Sequence, residues 1–361
     1  MTDTTAISTL WFTRCPVPTA TGLAYKLGWL KDEFAKDGIA IETLQDTPSL
    51  GDHHYRHELS TLIREGGNLL AIPAKAQGAP TRLIGLTWID EWQTILVRPG
   101  SDIRHPRDLK GKRAALPSFQ AEDLERNTRG RSIARGMTLH GFKGALNFAG
   151  LGLDDIQFVE IPSERGERGD RRNGPTRLWT GIQHLIDGKV DAVYVKGAAA
   201  VDAARKFGAQ VGINLDHLPD RRFRVNNGTP RPITAHEGLL RDHFDLVVRF
   251  LDQTLRAADW ARGNLAGVRG ILQDETRGEA DGVITAYGED FHQSLHPDLS
   301  TERLELFRIQ KNFLLSHGFL DCDFDFDAWV DPRPLEAAYA LRAARVGSNA
   351  KPSAPGIQAS A

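Results

Sequence analysis

The chain has 361 residues, 40% of them hydrophobic and 25% charged, an ordinary globular composition long enough for two domains or one large α/β unit. Forty-five basic against forty-seven acidic residues leave a formal net charge of −2. There is no basic excess to recruit nucleic acid and no acidic excess to favour disorder. Two cysteines, Cys15 and Cys322, exclude a disulfide framework and a cysteine-rich zinc module.

The stretch from Met1 to Ser8 has neither a basic region nor an apolar core, so no secretory signal is expected. No segment approaches the roughly 18 apolar residues of a membrane helix. The expected location is the cytoplasm, with both thiols reduced.

Ser8 to Thr13 is β-branched and aromatic and reads as a first strand. It stops at Cys15-Pro16-Val17-Pro18-Thr19, where two prolines demand a tight loop. Leu23, Leu27, Leu30 and Phe34 then carry helical spacing, with Thr19 or Thr21 available as a cap. Gly38 closes that helix, and Ile39 to Leu44 is a second strand. The spacing of Tyr55, Leu59, Leu62 and Ile63 predicts a helix from about Asp52 to Arg64, ended by Gly66 and Gly67. Leu69 to Ile72 reads as a short strand and Pro73 to Gly78 as a short helix. Strands are expected at Thr81 to Ile89 and Gln93 to Val97.

A second unit begins near Asp108, with a strand at Arg113 to Leu116, a long helical region from Asp123 to Ala149, and a strand at Asp155 to Ile161. Residues 164–177 hold five Arg, three acids and three Gly. That composition suits a solvated loop, either a lid over a cleft or a surface insertion. Leu178 to Asp187, Ala192 to Val195 and Ala198 to Phe207 read as helix, strand and helix. Leu239 to Ala261 and Leu304 to His317 are amphipathic helices, and 347–361 is a low-complexity tail. Strands alternating with helices imply mainly parallel sheets flanked by helices, with ligand chemistry beyond the C-terminal strand ends. No internal repeat, GxGxxG or P-loop is present.

Cys15 lies between the first strand and the first helix, where a helix dipole favours thiolate; otherwise it is a small apolar residue at a strand end. His53, His54 and His57 cluster at the next helix start. No carboxylate stands at HExxH-type spacing, so a metal is not expected. A cation is disfavoured at a helix N-terminus, so a neutral imidazole is expected there. Arg64, followed by Gly66 and Gly67, combines a guanidinium fork with free backbone N–H groups, the makings of an oxyanion site, or else of an ordinary helix C-terminus. Cys322, flanked by Asp321 and Asp323, reads as structural or surface.

Taken together, Cys15-Pro16-Val17-Pro18-Thr19, His54, Arg64 ten positions on, and Gly66-Gly67 resemble the 2'-hydroxybiphenyl-2-sulfinate desulfinase family. The resemblance continues through Thr81 to Gly85, Asp108 to Arg113, Gly152 to Ile156 and Gly188 to Tyr194. These later blocks are shared with type II periplasmic-binding-protein folds, among them sulfonate, nitrate and thiamine-precursor binders. It implies a two-lobed α/β fold, with lobe 1 built from 1–100 plus 212–346 and lobe 2 from 101–211. It implies cofactor-independent cleavage of the C–S bond of an aryl sulfinate to release sulfite; independently of the resemblance, a monomer is the default expectation. Cys15 would be the essential thiol, His54 its partner, and Arg64 with the Gly66-Gly67 turn and the Gly67 N–H the anion clamp. Thr13 stands where the desulfinase carries serine, and the tryptophan of the desulfinase pocket has no clear match around Gly136-Met137. The same cleft could instead hold a sulfonate or another small organic anion for uptake, without chemistry.

Overall fold

The computed structural model describes residues 7–13, 17–162, 181–276 and 278–349, with the side chains of 348 and 349 excepted. Cys15 and the loop 164–177 lie outside the described residues. Among the described residues ten strands carry the architecture: β1 Thr9–Thr13, β2 Ala40–Thr43, β3 Leu62–Glu65, β4 Thr81–Thr87, β5 Thr94–Val97, β6 Arg113–Pro117, β7 Gln157–Ile161, β8 Val193–Val195, β9 Gln210–Asn214 and β10 Arg231–His236.

The first sheet has the order β2-β1-β3-β10-β4. β1 runs parallel to both β2 and β3, whereas β10 is antiparallel to β3 and to β4. In the second half, β5 is antiparallel to β8 and β9, and β6 is parallel to β7. A parallel bridge between Ala114 and Ala192 joins β6 to the start of β8. The second assembly therefore reads β7-β6-β8-β5-β9, the same order as the first. In each, four strands run one way and the fourth in order runs against them. The sheets are thus mixed rather than simply parallel. The opposed strand comes from across the molecule each time: β10 returns to the first sheet, and β5, expected in lobe 1, pairs into the second.

Local chemistry explains most departures from the expected elements. The helix expected across Leu23 to Phe34 is two helices, Ala20–Lys26 and Trp29–Ala35, because Gly28 at φ 79° breaks the run. Leu69 to Ile72 is not a strand. It belongs to the helix Asn68–Ala76, which tolerates Pro73 in its interior. The region 123–149 divides into the helices Ala121–Glu125 and Ile133–Phe148 with a 3₁₀ turn, Arg129–Arg131, between them. Leu239 to Ala261 likewise splits into Glu237–Asp242 and Phe244–Arg262. The last helix, Arg333–Asn349, runs into the segment expected to be a tail. Among the described residues no helix is long and apolar enough to cross a membrane.

The two halves meet closely. Gly130 packs on Pro73, where a Cβ would stand 2.4 Å from its Cγ, and Gly136 packs on Leu69, where a Cβ would stand 2.6 Å from its Cδ2. Both crossovers between the halves are tied by buried charge. Glu91, on the first crossover, accepts from Arg231 Nη2 at 2.5 Å and lies 3.6 Å from Lys196 Nζ, which in turn donates to the Asn227 carbonyl on the second.

Candidate active site

β1 and β3 are parallel neighbours with Thr13 opposite Arg64, so both strands deliver their C-terminal ends to one place. That edge, next to a loop-to-helix turn, is where ligand chemistry gathers in α/β folds. Arg64 was expected on a helix and stands on a strand instead. All four residues of β3 are buried, as befits a central strand covered on both faces. The preceding helix, His53–Arg56, is a single turn stopped by His57 in the left-handed region at φ 56°. The apolar residues after it mimicked a helical stripe but fill the strand.

The Arg64 side chain is 1% exposed and folds back over the Gly66-Gly67 turn. Its Nη2 donates to the Gly67 carbonyl at 3.1 Å. A Cβ on Gly66 would lie 2.9 Å from that same nitrogen, so only glycine lets the guanidinium settle there. The Gly66 N–H donates to the Pro232 carbonyl at 3.3 Å, whereas the Gly67 N–H has no acceptor among the described residues. The next helix starts at Asn68, and Asn227 caps it by accepting from the Leu69 N–H at 3.1 Å. Thr13 donates its hydroxyl proton to the Glu65 carbonyl at 2.8 Å. Its hydroxyl therefore holds the strand pair together, and its oxygen lone pairs remain as acceptors.

The structure brings His54 and Arg64 together, and their electrostatics are coupled. Burial first, and then the Arg64 charge, hold the His54 pKa down to about 3 from its ordinary 6.5. His57, which the sequence reading did not assign to the site, is 1% exposed and belongs to the same cluster. Its Nε2–H donates to the His54 carbonyl at 2.9 Å. Burial, the Arg64 charge and the neighbouring His54 push it well below its ordinary range, against that hydrogen bond. Neither Nδ1 atom has a hydrogen-bond partner among the described residues. The cluster is one guanidinium beside two neutral imidazoles, which is the expected protonation state reached by a different cause: burial rather than a helix dipole. Tyr55 packs edge-on to His54 with ring centroids 5.3 Å apart, and Arg131 from the second half sits 5.0 Å above the Tyr55 ring. Arg131 thereby brings a side chain of the second half over the ring that flanks His54.

Unfolded His54 binds a proton below about pH 6.5, while the folded side chain stays neutral to about 3. Its contribution is thus present above pH 6.5 and is lost as pH falls through that window. Between pH 7 and pH 5 the wild type should lose about 2 kcal/mol more stability than His54→Gln. Urea midpoints at the two pH values measure this, and equal losses would show a solvated imidazole.

Cys322 is exposed and donates its thiol proton to the Ala76 carbonyl at 3.0 Å, in keeping with a structural or surface role.

No family model matches the chain. It is similar to 2'-hydroxybiphenyl-2-sulfinate desulfinase of Rhodococcus erythropolis, with 26% identity over 359 residues, covering 92% of this chain and 94% of that protein. Among solved structures it is similar to the desulfurization enzyme DszB, with a TM-score of 0.73 and 25% identity over 92% of this chain and 99% of that one. DszB has also been solved as a cysteine-to-serine mutant in complex with biphenyl-2-sulfinic acid. The periplasmic aliphatic sulphonate-binding protein SsuA of Escherichia coli shares the fold, with a TM-score of 0.65 and 15% identity over 90% of this chain and 92% of that one. The chain is a distant homologue of the desulfinase, on a type II periplasmic-binding-protein-like fold.

Proposed function

We propose that this protein is a cofactor-independent, desulfinase-like hydrolase that cleaves the C–S bond of an aryl sulfinate and releases sulfite. The observation that carries the reading is the Arg64 cluster: a buried guanidinium, folded over a glycine turn, beside two neutral imidazoles. A sulfinate concentrates negative charge on two oxygens, which suits a fork donor reinforced by the Gly67 N–H. The distant homology to a sulfinate desulfinase points the same way. Cys15, in the segment between β1 and the helix Ala20–Lys26, is the working thiol of this reading, in a reducing cytoplasm that would keep it a thiol.

The electrostatics favour one of two routes. Burial and the Arg64 charge make the His54 imidazole a poor acceptor for a thiol proton. This reading therefore starts from Cys15 as a thiol. Its S–H then protonates the ring carbon, the C–S pair returns to the ring, and sulfur dioxide leaves. Water adds to the sulfur dioxide, giving bisulfite and a proton that returns to the thiolate by way of His54. In sum, sulfinate and water become arene and bisulfite. Bound anion offsets the Arg64 charge and so raises the basicity of His54 when it is needed. The other route, thiolate attack on sulfur to form a covalent Cys–sulfur adduct that water hydrolyses, begins from the costlier ionised pair.

The test is incubation of purified protein with a panel of aryl sulfinates, biphenyl-2-sulfinate included, with sulfite detection. Sulfite at a rate above background supports the reading. Saturable binding of sulfinates or sulfonates without sulfite identifies a binding protein instead, the reading that the likeness to SsuA would then favour.

A further inference from the structure

We propose that Asn227 is a positioning residue for the anion clamp: it seats the Gly67 turn and ties that turn to the second half of the molecule. The inference rests on the anion site of the reading above and not on its C–S chemistry. Gly67 is the N-cap of the helix Asn68–Ala76 and has no side chain with which to cap it. The task falls to Asn227, whose Oδ1 accepts from the Leu69 N–H at 3.1 Å. An oxygen there does what a serine or aspartate at the N-cap position ordinarily does. Only glycine permits this substitution of one residue for another. A Cβ on Gly67 would stand 2.2 Å from Asn227 Oδ1 and 2.6 Å from its Nδ2, so the amide lies directly against the turn. The clamp is walled by two side chains, Arg64 over Gly66 and Asn227 over Gly67. The cap satisfies the Leu69 N–H and leaves the Gly67 N–H to an anion.

Asn227 is itself held from the second half. Its carbonyl accepts from Lys196 Nζ at 2.5 Å, one residue beyond β8. Its Nδ2 donates to Met137 Sδ at 3.6 Å, on the helix Ile133–Phe148. Its N–H donates to the Asn226 Oδ1 at 2.7 Å. Asn226 is buried, and its Nδ2 donates to the Met137 carbonyl at 3.0 Å and to the Tyr194 hydroxyl at 2.9 Å. Its carbonyl accepts from Asn68 Nδ2 at 2.7 Å. Two successive residues at the helix start, Asn68 and Leu69, are thus bonded to two successive residues of the second crossover, and both of those are bonded to the second half. The direction of the Gly67 N–H is therefore fixed against both halves at once. A donor held in place before the anion arrives costs no ordering when it binds.

The experiment compares Asn227→Ala and Asn227→Asp with the parent by calorimetry with biphenyl-2-sulfinate at low and high salt, by urea midpoint and by sulfite release. Asn227→Ala removes the cap and frees the turn, and its Kd should weaken about fivefold. Aspartate caps as well as asparagine, so Asn227→Asp should keep the parental urea midpoint. It also lays a carboxylate against the clamp. Its Kd should weaken about 30-fold at low salt, and the deficit should shrink as salt is added. A side chain that served the helix alone would give Asn227→Asp parental affinity along with parental stability. Parental Kd in folded Asn227→Asp or in folded Asn227→Ala overturns the proposal, and where one variant does not fold the other decides. Sulfinate binding without sulfite in the parent removes the desulfinase reading and leaves the affinity comparison standing. A parent that binds no sulfinate overturns both.

Discussion

Cys15→Ser is expected to abolish sulfite release from an aryl sulfinate while the anion still binds. A serine hydroxyl is nearly the size of a thiol but is a weaker acid by about seven pKa units. If about half of that difference is felt while the proton is in transit to the ring carbon, the rate falls by about 10³-fold or more. The thiolate route predicts a loss at least as large, because the hydroxyl does not ionise. Binding should persist because the clamp belongs to Arg64 and the Gly66-Gly67 turn. Calorimetry with biphenyl-2-sulfinate and a coupled sulfite assay separate the two effects. Sulfite release at the native rate from the serine variant would end the assignment of Cys15, and loss of both binding and turnover would show that the thiol segment shapes the pocket itself.

The elements that local sequence patterns reported correctly are those decided locally. Ser8 to Thr13 alternates core and surface residues and forms β1; Ala198 to Phe207 carries an amphipathic stripe and forms a helix with those ends. The errors cluster where tertiary structure decides. Leu62 and Ile63 are helical in spacing relative to Tyr55 and Leu59, yet they fill a strand buried on both faces between β1 and β10. A short apolar run is ambiguous between the two states, and here the partner strands resolved it. The repeated strand order was invisible for a related reason. It is a repeat of connectivity, completed in each half by a strand from elsewhere in the chain, and it leaves no periodicity in the residues.

The candidate site shows the same division. His54, Arg64 and the glycine turn were legible through a family resemblance, and the structure brings them together. His57 was legible only as one partner of an i, i+4 pair with His53. In the structure the helix ends before it, and its left-handed backbone turns its ring onto the His54 carbonyl. A left-handed residue other than glycine is uncommon, and the enrichment of histidine there is too weak a signal to single out one position. Asn227 arrives from the far crossover to cap the helix that follows the clamp, a contact separated by 158 residues. Neither could be found by reading the sequence outward from the clamp.

The loss in Arg64→Ala is expected to fall on binding. Removing the buried partner of a bound anion typically costs 2–5 kcal/mol, or roughly 30-fold to several thousand-fold in Kd. Arg64→Lys should recover only part of this, since an ammonium is a point charge without the planar fork that meets two sulfinate oxygens. The substitution also reports on His54 with no substrate present. Burial is the larger cause of the depressed imidazole and the guanidinium charge the smaller. Arg64→Ala should therefore raise the His54 pKa yet leave it below the ordinary 6.5. Calorimetry with biphenyl-2-sulfinate and an NMR titration of the histidine rings read the two effects in one variant. An unchanged Kd would remove Arg64 from the anion site, whereas weaker binding with a His54 pKa that does not move would place the two side chains in separate electrostatic environments and break the cluster on which the chemistry depends.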